Sequence, residues 1–172
     1  MAYTSKKFIF NALRNNVHIL KYTTKDILDD EEIISYAVYL NGEAIQYASS
    51  RLRDDTELAI IAINNNNYGV MKDHNVVQYL SARLRDNEEF MLMAVQIWGT
   101  ALFYASDRLK DNEQIVKAAV HNWGYAYKYA SDKLKNDVTV LSIAMTNKKA
   151  VYNDMKQELR NNPIIASLYT KL

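Results

Sequence analysis

The chain has 172 residues, 49% of them hydrophobic, a formal net charge of +1 at pH 7, and no cysteine. The lack of cysteine excludes a disulfide framework, a thiolate metal site and a cysteine nucleophile, and it favours a reducing compartment. Because acidic and basic residues are interleaved, the chain offers no global field for nucleic acid or anionic lipid, so any such binding would be local.

An internal repeat organises the chain from its first helix onward. A small residue recurs every 25 residues, with one step of 32, at Ala12, Ala37, Ala62, Ala94, Ala119 and Ala144. A fixed period of this kind is typical of stacked arrays, in which each repeat buries its apolar face against its neighbours. The sequence therefore predicts an all-α, solenoid-like array of about six 25-residue helical hairpin repeats, forming a single domain over 1-172.

The predicted repeats follow one another directly. Their approximate bounds are 6-30, 31-55, 56-87, 88-112, 113-137 and 138-162, with a partial repeat at 163-172. The step of 32 exceeds the period of 25 by seven residues, which we assign to an insertion at 67-73 in the third repeat. Loops that project from one repeat often lie on the binding face of an array, although a tolerated surface loop would look the same. The binding interpretation makes Tyr68, Met71, Lys72 and His74 candidate contacts.

Within each repeat the apolar spacing indicates two short helices with a break between them. Gly42, Gly99 or Gly124 stands at the break, where we expect a helix end that needs the left-handed conformation. An Asp or Asn precedes each following repeat, and its side chain can accept hydrogen bonds from the amides of the first helical turn. These predicted caps are Asp30, Asp55, Asn87, Asn112, Asp137 and Asn162. Pro163 follows the last of them at the first helical position, where its missing N–H costs nothing.

Two of the repeated phrases carry a resemblance to a known family. YASSRLRDD at 47-55 and YASDRLKDNEQIVKAAV at 104-120 resemble the short helical repeats of domain of unknown function 4116. The resemblance covers most of the chain, is specific in the second, fourth and fifth repeats, and is weaker in the first and sixth. It implies the fold of a helical array, and it implies no activity and no catalytic residues.

No catalytic, cofactor or metal motif stands out from the repeat pattern. His18, His74 and His121 occupy different repeat positions and lack the spacing of metal ligands. Paired carboxylates recur at the repeat junctions, where capping explains them better than acid–base chemistry. We therefore expect a protein that is not an enzyme and that uses no cofactor or metal.

Aromatic residues define the first candidate surface. Five repeats carry a tyrosine at the same position, namely Tyr22, Tyr47, Tyr79, Tyr104 and Tyr129. Each ring would either pack on the next repeat with its hydroxyl in water or belong to a protein-binding stripe. Trp98 and Trp123 stand just before the glycine turns, and tryptophan is a frequent hot-spot residue at protein interfaces. The candidate partner-binding residues are thus Tyr47, Tyr104, Tyr129, Trp98 and Trp123, together with the four loop residues.

Basic residues define an alternative surface. One row consists of Arg51, Arg83, Arg108 and Lys133, and a second row consists of Arg53, Arg85, Lys110, Lys135 and Arg160. Cations spaced by one repeat could follow a nucleic-acid backbone, with the tyrosines as stacking partners. Each cation also lies close to an Asp or Asn and near a predicted helix C-terminus, which favours a structural role. Phosphate contact is therefore the alternative function, with Arg53, Arg85, Lys110 and Lys135 as its candidates.

The sequence thus predicts a non-enzymatic interaction module that binds another protein as an adaptor or inhibitor, a class that includes viral and effector proteins directed at host factors. The N-terminal stretch has no signal-peptide pattern, and the uncharged stretch 90-106 stays in phase with the repeat, so we expect a cytoplasmic protein without a membrane span. Apolar residues near the two ends of the array would allow an end-to-end homo-oligomer. They are Ile9 and Leu13 at one end and Ile164, Ile165 and Leu168 at the other.

Overall fold

The computed structural model describes residues 6-66, 69 and 75-172, and all regular secondary structure in these ranges is helical. Its contacts divide the chain into two compact units, Met1–Leu84 and Arg85–Leu172, called here the N-terminal and C-terminal units. Inside each unit, helices of successive repeats pack against one another. The prediction of an all-α, solenoid-like array of repeats is confirmed, and the single domain over 1-172 stays a prediction.

A long helix of nine or ten residues begins each repeat in the described ranges. These helices are Lys6–Asn15, Glu31–Leu40, Thr56–Asn64, Glu88–Ile97, Glu113–Asn122, Val138–Asn147 and Pro163–Lys171. Six of them have a side-chain N-cap that accepts a hydrogen bond from a first-turn amide, and the capping residues are Asp30, Asp55, Asn87, Asn112, Asp137 and Asn162. The predicted caps are therefore confirmed. None of the helices in the described ranges is long and apolar enough to cross a membrane.

The second half of a repeat is more broken than the single helix expected from the sequence. In the fourth repeat, the 3-10 helix Gly99–Tyr104 ends at Ala105, whose backbone is extended with a ψ of 155°. The short α-helix Asp107–Lys110 then begins after Ser106, whose hydroxyl accepts a hydrogen bond from the amide of Leu109. Because the extended residue resets the helical phase, a run of apolar residues that suggested one helix forms two.

The same arrangement recurs along the chain. The 3-10 helices are Val17–Tyr22, Gly42–Tyr47, Leu52–Asp54, Val76–Tyr79, Gly99–Tyr104 and Gly124–Tyr129. The short α-helices are Lys25–Leu28, Ala82–Arg85, Asp107–Lys110, Asp132–Lys135, Val151–Asp154 and Gln157–Arg160.

The glycines before the 3-10 helices are required by close packing and not by backbone conformation. No described glycine has a positive φ, so the expected left-handed helix end is wrong. A Cβ at Gly42 would lie 2.0 Å from the carbonyl oxygen of Ala62 in the next repeat, and a Cβ at Gly99 would lie 2.6 Å from that of Ala119. Each glycine therefore lets its chain touch the next long helix at its buried alanine. The recurring Gly and Ala of the sequence are two sides of one contact.

An asparagine at the end of the long helix joins successive repeats in the C-terminal unit. Asn122 accepts a hydrogen bond from the amide of Gly99 at 2.7 Å and donates to the carbonyl of Gln96 at 2.9 Å. Asn147 bonds in the same way to Gly124, at 2.8 Å, and to the carbonyl of His121, at 2.7 Å. Each asparagine thus satisfies backbone groups at the C-terminal end of the preceding helix, where no intrahelical partner exists.

Candidate functional site

The three arginines of the first basic row have a structural role at the junctions between repeats. In the fourth repeat, Ser106 donates through its hydroxyl to Asp86 of the preceding repeat, and its amide donates to the carbonyl of Arg85 at 2.9 Å. Arg108 donates to Oδ1 of Asp86 at 3.1 Å and also to its backbone carbonyl. Asp29, Ser49 and Arg51 form the same triad, and so do Asp54, Ser81 and Arg83. These arginines are therefore engaged in joining repeats.

These triads set the charge of their aspartates. The hydrogen bond from the serine hydroxyl is the main cause that lowers the pKa of Asp29, Asp54 and Asp86 from its ordinary value, and the arginine adds to the effect. Hydrogen bonds to the ionised form stabilise it. The serine and arginine donors therefore favour the ionised form of each aspartate at the junction.

The second basic row, the candidate phosphate contacts, lies half-buried at the ends of the short second-half helices. The Nε atoms of Arg53 and Arg85 are buried and have no hydrogen-bond partner. Lys110 and Lys135 lie beside carboxylates of their own helices, at 3.9 Å from Asp107 and 3.4 Å from Asp132. The two lysines therefore offer little unbalanced positive charge.

The tyrosine row is uneven in exposure and in contacts. Tyr22 is 78% exposed, whereas Tyr47, Tyr79, Tyr104 and Tyr129 are half-buried. Tyr47 contacts His18 of the preceding repeat, with 2.9 Å between the hydroxyl and Nδ1 of the imidazole. Burial raises the pKa of Tyr79. Tyr47 and Tyr79 therefore agree with the packing interpretation, whereas Tyr22 is exposed to solvent.

In the C-terminal unit the tyrosines belong to a connected aromatic cluster. The ring of Phe103 contacts Tyr104 and Tyr129 edge to face, with centroid distances of 4.9 and 5.1 Å. Trp123 in turn contacts Tyr125 and Tyr129, each at a centroid distance of 5.9 Å. We call these five residues the aromatic patch. Three predicted candidates, Tyr104, Tyr129 and Trp123, thus come together here, and Tyr47 lies in the other compact unit.

The tryptophans replace a capping residue. Asn16 and Asn41 stand at the N-caps of the first two 3-10 helices and accept hydrogen bonds from His18 and Glu43. Trp98 and Trp123 occupy the same place in the fourth and fifth repeats, where no side-chain cap bond forms. An indole N–H can only donate, so it cannot accept from these amides. The fourth and fifth repeats therefore lack the side-chain N-cap hydrogen bond of the 3-10 helix and have a large half-buried ring in its place.

A groove of about 460 Å³ lies beside the aromatic patch, between the fourth and fifth repeats. Phe103 and Tyr129 provide its aromatic wall. Its polar lining consists of Lys110, Lys128, Lys135, Asp107, Asp132 and Ser131. Lys128 is also hydrogen-bonded to Asp154 at 2.6 Å, a contact that raises the pKa of the lysine. The groove therefore combines aromatic faces with a balanced set of opposite charges.

Two members of the patch, Phe103 and Tyr125, were not among the candidates predicted from the sequence. Phe103 stands where other repeats have Lys21, Gln46, Gln78 or Lys128, and Tyr125 stands where they have His18, Glu43 or Thr100. For Phe103, an aromatic side chain at a repeat position that is otherwise polar was the available signal. The position of Tyr125 also holds Ala150 in the sixth repeat, so this signal does not single out Tyr125. The predicted loop contacts Tyr68, Met71, Lys72 and His74 lie outside the described residues.

Neither metal-binding nor catalytic geometry emerges from the described part of the chain. No three or more His, Cys, Asp or Glu side chains come together there in a way that could hold a metal ion. Of the histidines that the structure describes, His18 pairs with Tyr47, and His121 lies on the exposed face of its long helix.

Comparison with known proteins identifies one family. The model of the family described as Domain of unknown function (DUF4116) matches residues 5-48, 30-69, 69-110 and 112-162. Each match is longer than one 25-residue repeat, and the first two overlap, as expected when a repeated sequence is matched at more than one register. No curated protein and no solved structure matches the chain.

Proposed function

The chain belongs to the DUF4116 family, whose description assigns no function, and we propose that it is a non-enzymatic interaction module that binds another protein through the aromatic patch. The observation that supports this proposal is the connected set of partly exposed rings, which extends over two repeats and replaces polar and capping residues. Aromatic residues beside a polar rim are the typical composition of binding hot spots.

The chemistry of the neighbouring groove fits the same function. Tyrosine and tryptophan supply large, rigid contact area at small entropic cost, and the lysines and aspartates around the groove form the polar rim. An adaptor or an inhibitor would use such a surface. Because the chain has no cysteine, we place this interaction in the cytoplasm, where thiols are kept reduced.

The proposal is tested by capture of a defined partner followed by measurement of its affinity. The tagged chain is used to isolate partners after nuclease treatment, and the partner identified is purified and titrated against the wild type, Phe103→Ala and Trp123→Ala. Loss of a hot-spot ring costs about 2 kcal/mol or more, so each variant should weaken binding by roughly 30-fold.

A matched control separates loss of the surface from loss of the fold. Tyr39 is an aromatic residue with 66% exposure on a long helix of the N-terminal unit, and it takes no part in the patch. Tyr39→Ala should bind with wild-type affinity, and all three variants should keep the helical circular dichroism of the wild type. Equal affinity of Phe103→Ala, Trp123→Ala and the wild type would reject the aromatic patch as the binding surface.

Nucleic-acid binding is the second candidate function, and the three lysines beside aromatic rings in the groove are the observation in its favour. Single-stranded nucleic acid combines phosphate contacts with base stacking. If it is the ligand, affinity for an oligonucleotide should fall steeply between low and physiological salt and should depend on Lys110 and Lys135. Affinity that is insensitive to salt, or no binding at low salt, would reject this candidate.

A further inference from the structure

Two separate departures from the repeat pattern coincide at the groove beside the aromatic patch. The first is the aromatic ring of Phe103 at a repeat position that is otherwise polar. The second is an aspartate at the first position of the short helix, Asp107 in the fourth repeat and Asp132 in the fifth. The corresponding residues of the other repeats are Lys25, Ser50, Ala82 and Gln157. At the groove, the ring of Phe103 therefore lies with two aspartates that no other repeat has at this position.

The two aspartates are presented outward, whereas the lysines are not. The side chains of Asp107 and Asp132 are fully exposed, while those of Lys110 and Lys135 keep only 26% and 37% of their exposure. Each lysine contacts only Oδ1 of its aspartate, at 3.9 and 3.4 Å, and exposed pairs of this kind contribute little stability. The outward oxygens of both carboxylates are therefore available to a cation from a partner.

We infer that this groove receives arginine side chains from an extended segment of the partner protein, an inference that rests on the proposed function. A guanidinium group stacks on the face of an aromatic ring and donates two parallel hydrogen bonds to a carboxylate. Phe103 and Tyr129 supply the rings, and Asp107 and Asp132 supply the acceptors at the same opening. Lysine fits less well because its ammonium is a compact point charge without the planar fork.

Each lysine at the groove has a carboxylate partner in the folded chain. Lys128 is neutralised by its short hydrogen bond to Asp154. Lys110 lies with its ammonium over the Phe103 ring, 5.9 Å from the ring centre, so an arginine that stacks on this face takes the place of the lysine. An arginine that displaces the weak pair to Asp107 gains a bidentate contact in place of a single long one.

The test uses the full chain, labelled with 15N, and four short peptides of equal length. The peptides differ at two positions that carry arginine, citrulline, lysine or glutamate. Citrulline has nearly the shape of arginine without its charge. The arginine peptide should shift amide signals within 103-110 and 125-135, and it should bind at least about fivefold more tightly than the citrulline peptide.

Charge-removal variants assign the site. The double variant Asp107→Asn with Asp132→Asn should remove the preference for arginine over citrulline. Asp26→Asn, which removes an exposed carboxylate in the first repeat, should retain it. Equal binding of the arginine and citrulline peptides, tighter binding of the glutamate peptide, or an unchanged preference in the double variant would overturn the inference.

The outcome for the captured partner distinguishes this inference from the proposed function. A partner that loses affinity in Trp123→Ala but not in the double aspartate variant would keep the interaction module and overturn arginine recognition. A partner that loses affinity in both supports the two together.

Discussion

Replacement of Gly99 by alanine tests how the repeats pack. The added Cβ would lie 2.6 Å from the carbonyl oxygen of Ala119 and 2.8 Å from the Cβ of Trp123, both in the next repeat. Neither atom is the end of a flexible side chain, so the two repeats must move apart to admit it. The backbone at Gly99 has no positive φ, so the cost is steric and not conformational.

The expected magnitude follows from two opposing effects. Overpacking of a close contact costs about 1–3 kcal/mol, whereas replacing glycine by alanine returns about 0.4–1 kcal/mol by restricting the unfolded chain. We therefore expect Gly99→Ala to lower the free energy of unfolding by about 1–2 kcal/mol. With a urea dependence of about 2 kcal/mol per molar, the middle of the usual range, the urea midpoint should fall by roughly 0.5–1 M.

Urea unfolding followed by tryptophan fluorescence is the suitable assay because both tryptophans, Trp98 and Trp123, lie in the C-terminal unit. Lys149→Ala is the matched control. Lys149 occupies the position that glycine has in other repeats, so a side chain already fits there. The long helix that follows it has Tyr169 at the position where the other long helices have the buried alanine. The control loses a cation–π contact with Tyr169, at 4.7 Å, and should shift the midpoint little. A Gly99→Ala variant as stable as the wild type would refute the packing argument.

Three further predictions concern the junctions and the insertion. The pKa of Asp86 is lowered in the folded chain, so the stabilisation by Asp86 is present above the ordinary carboxyl pKa of about 3.9 and is lost as the pH falls through the folded pKa. The difference in unfolding free energy between the wild type and Asp86→Asn should accordingly shrink in unfolding curves below pH 4. A difference that stays constant with pH would contradict this. Asn122→Ala removes the hydrogen bonds to Gly99 and Gln96 and should cost about 1 kcal/mol or slightly more in urea unfolding, with no change counting against the role of Asn122 in joining repeats. Deletion of 67-73 should restore a uniform 25-residue period and retain the helical circular dichroism, so loss of that signal would show that the insertion is needed for folding.

Features that depend on residues close in sequence were predictable. A capping residue such as Asn87 acts on the amide of Phe90 only three positions later, so its residue type and place are sufficient to identify it. The period of the array was visible because every repeat has the same requirement for a small residue at the helix contact. Both features are local or are repeated in each unit of the pattern.

Contacts between repeats were not predictable from the same patterns. A glycine after a helix suggests a left-handed turn. Only the structure shows that the space at Gly99 is needed, because a Cβ there would lie 2.6 Å from the carbonyl oxygen of Ala119. Arg108 looked like a member of a basic surface because the sequence does not show that Asp86, 22 positions away, accepts its hydrogen bond. Phe103 escaped notice because its significance depends on contacts with two tyrosines, one of them in the following repeat.

The claim that the aromatic patch is the interaction surface is tested most directly by the affinity of the purified partner for Trp123→Ala, compared with the wild type and Tyr39→Ala. We expect Trp123→Ala to bind roughly 30-fold more weakly while Tyr39→Ala binds like the wild type. Wild-type affinity in Trp123→Ala, or an equal loss in Tyr39→Ala, would contradict the assignment of binding to the aromatic patch.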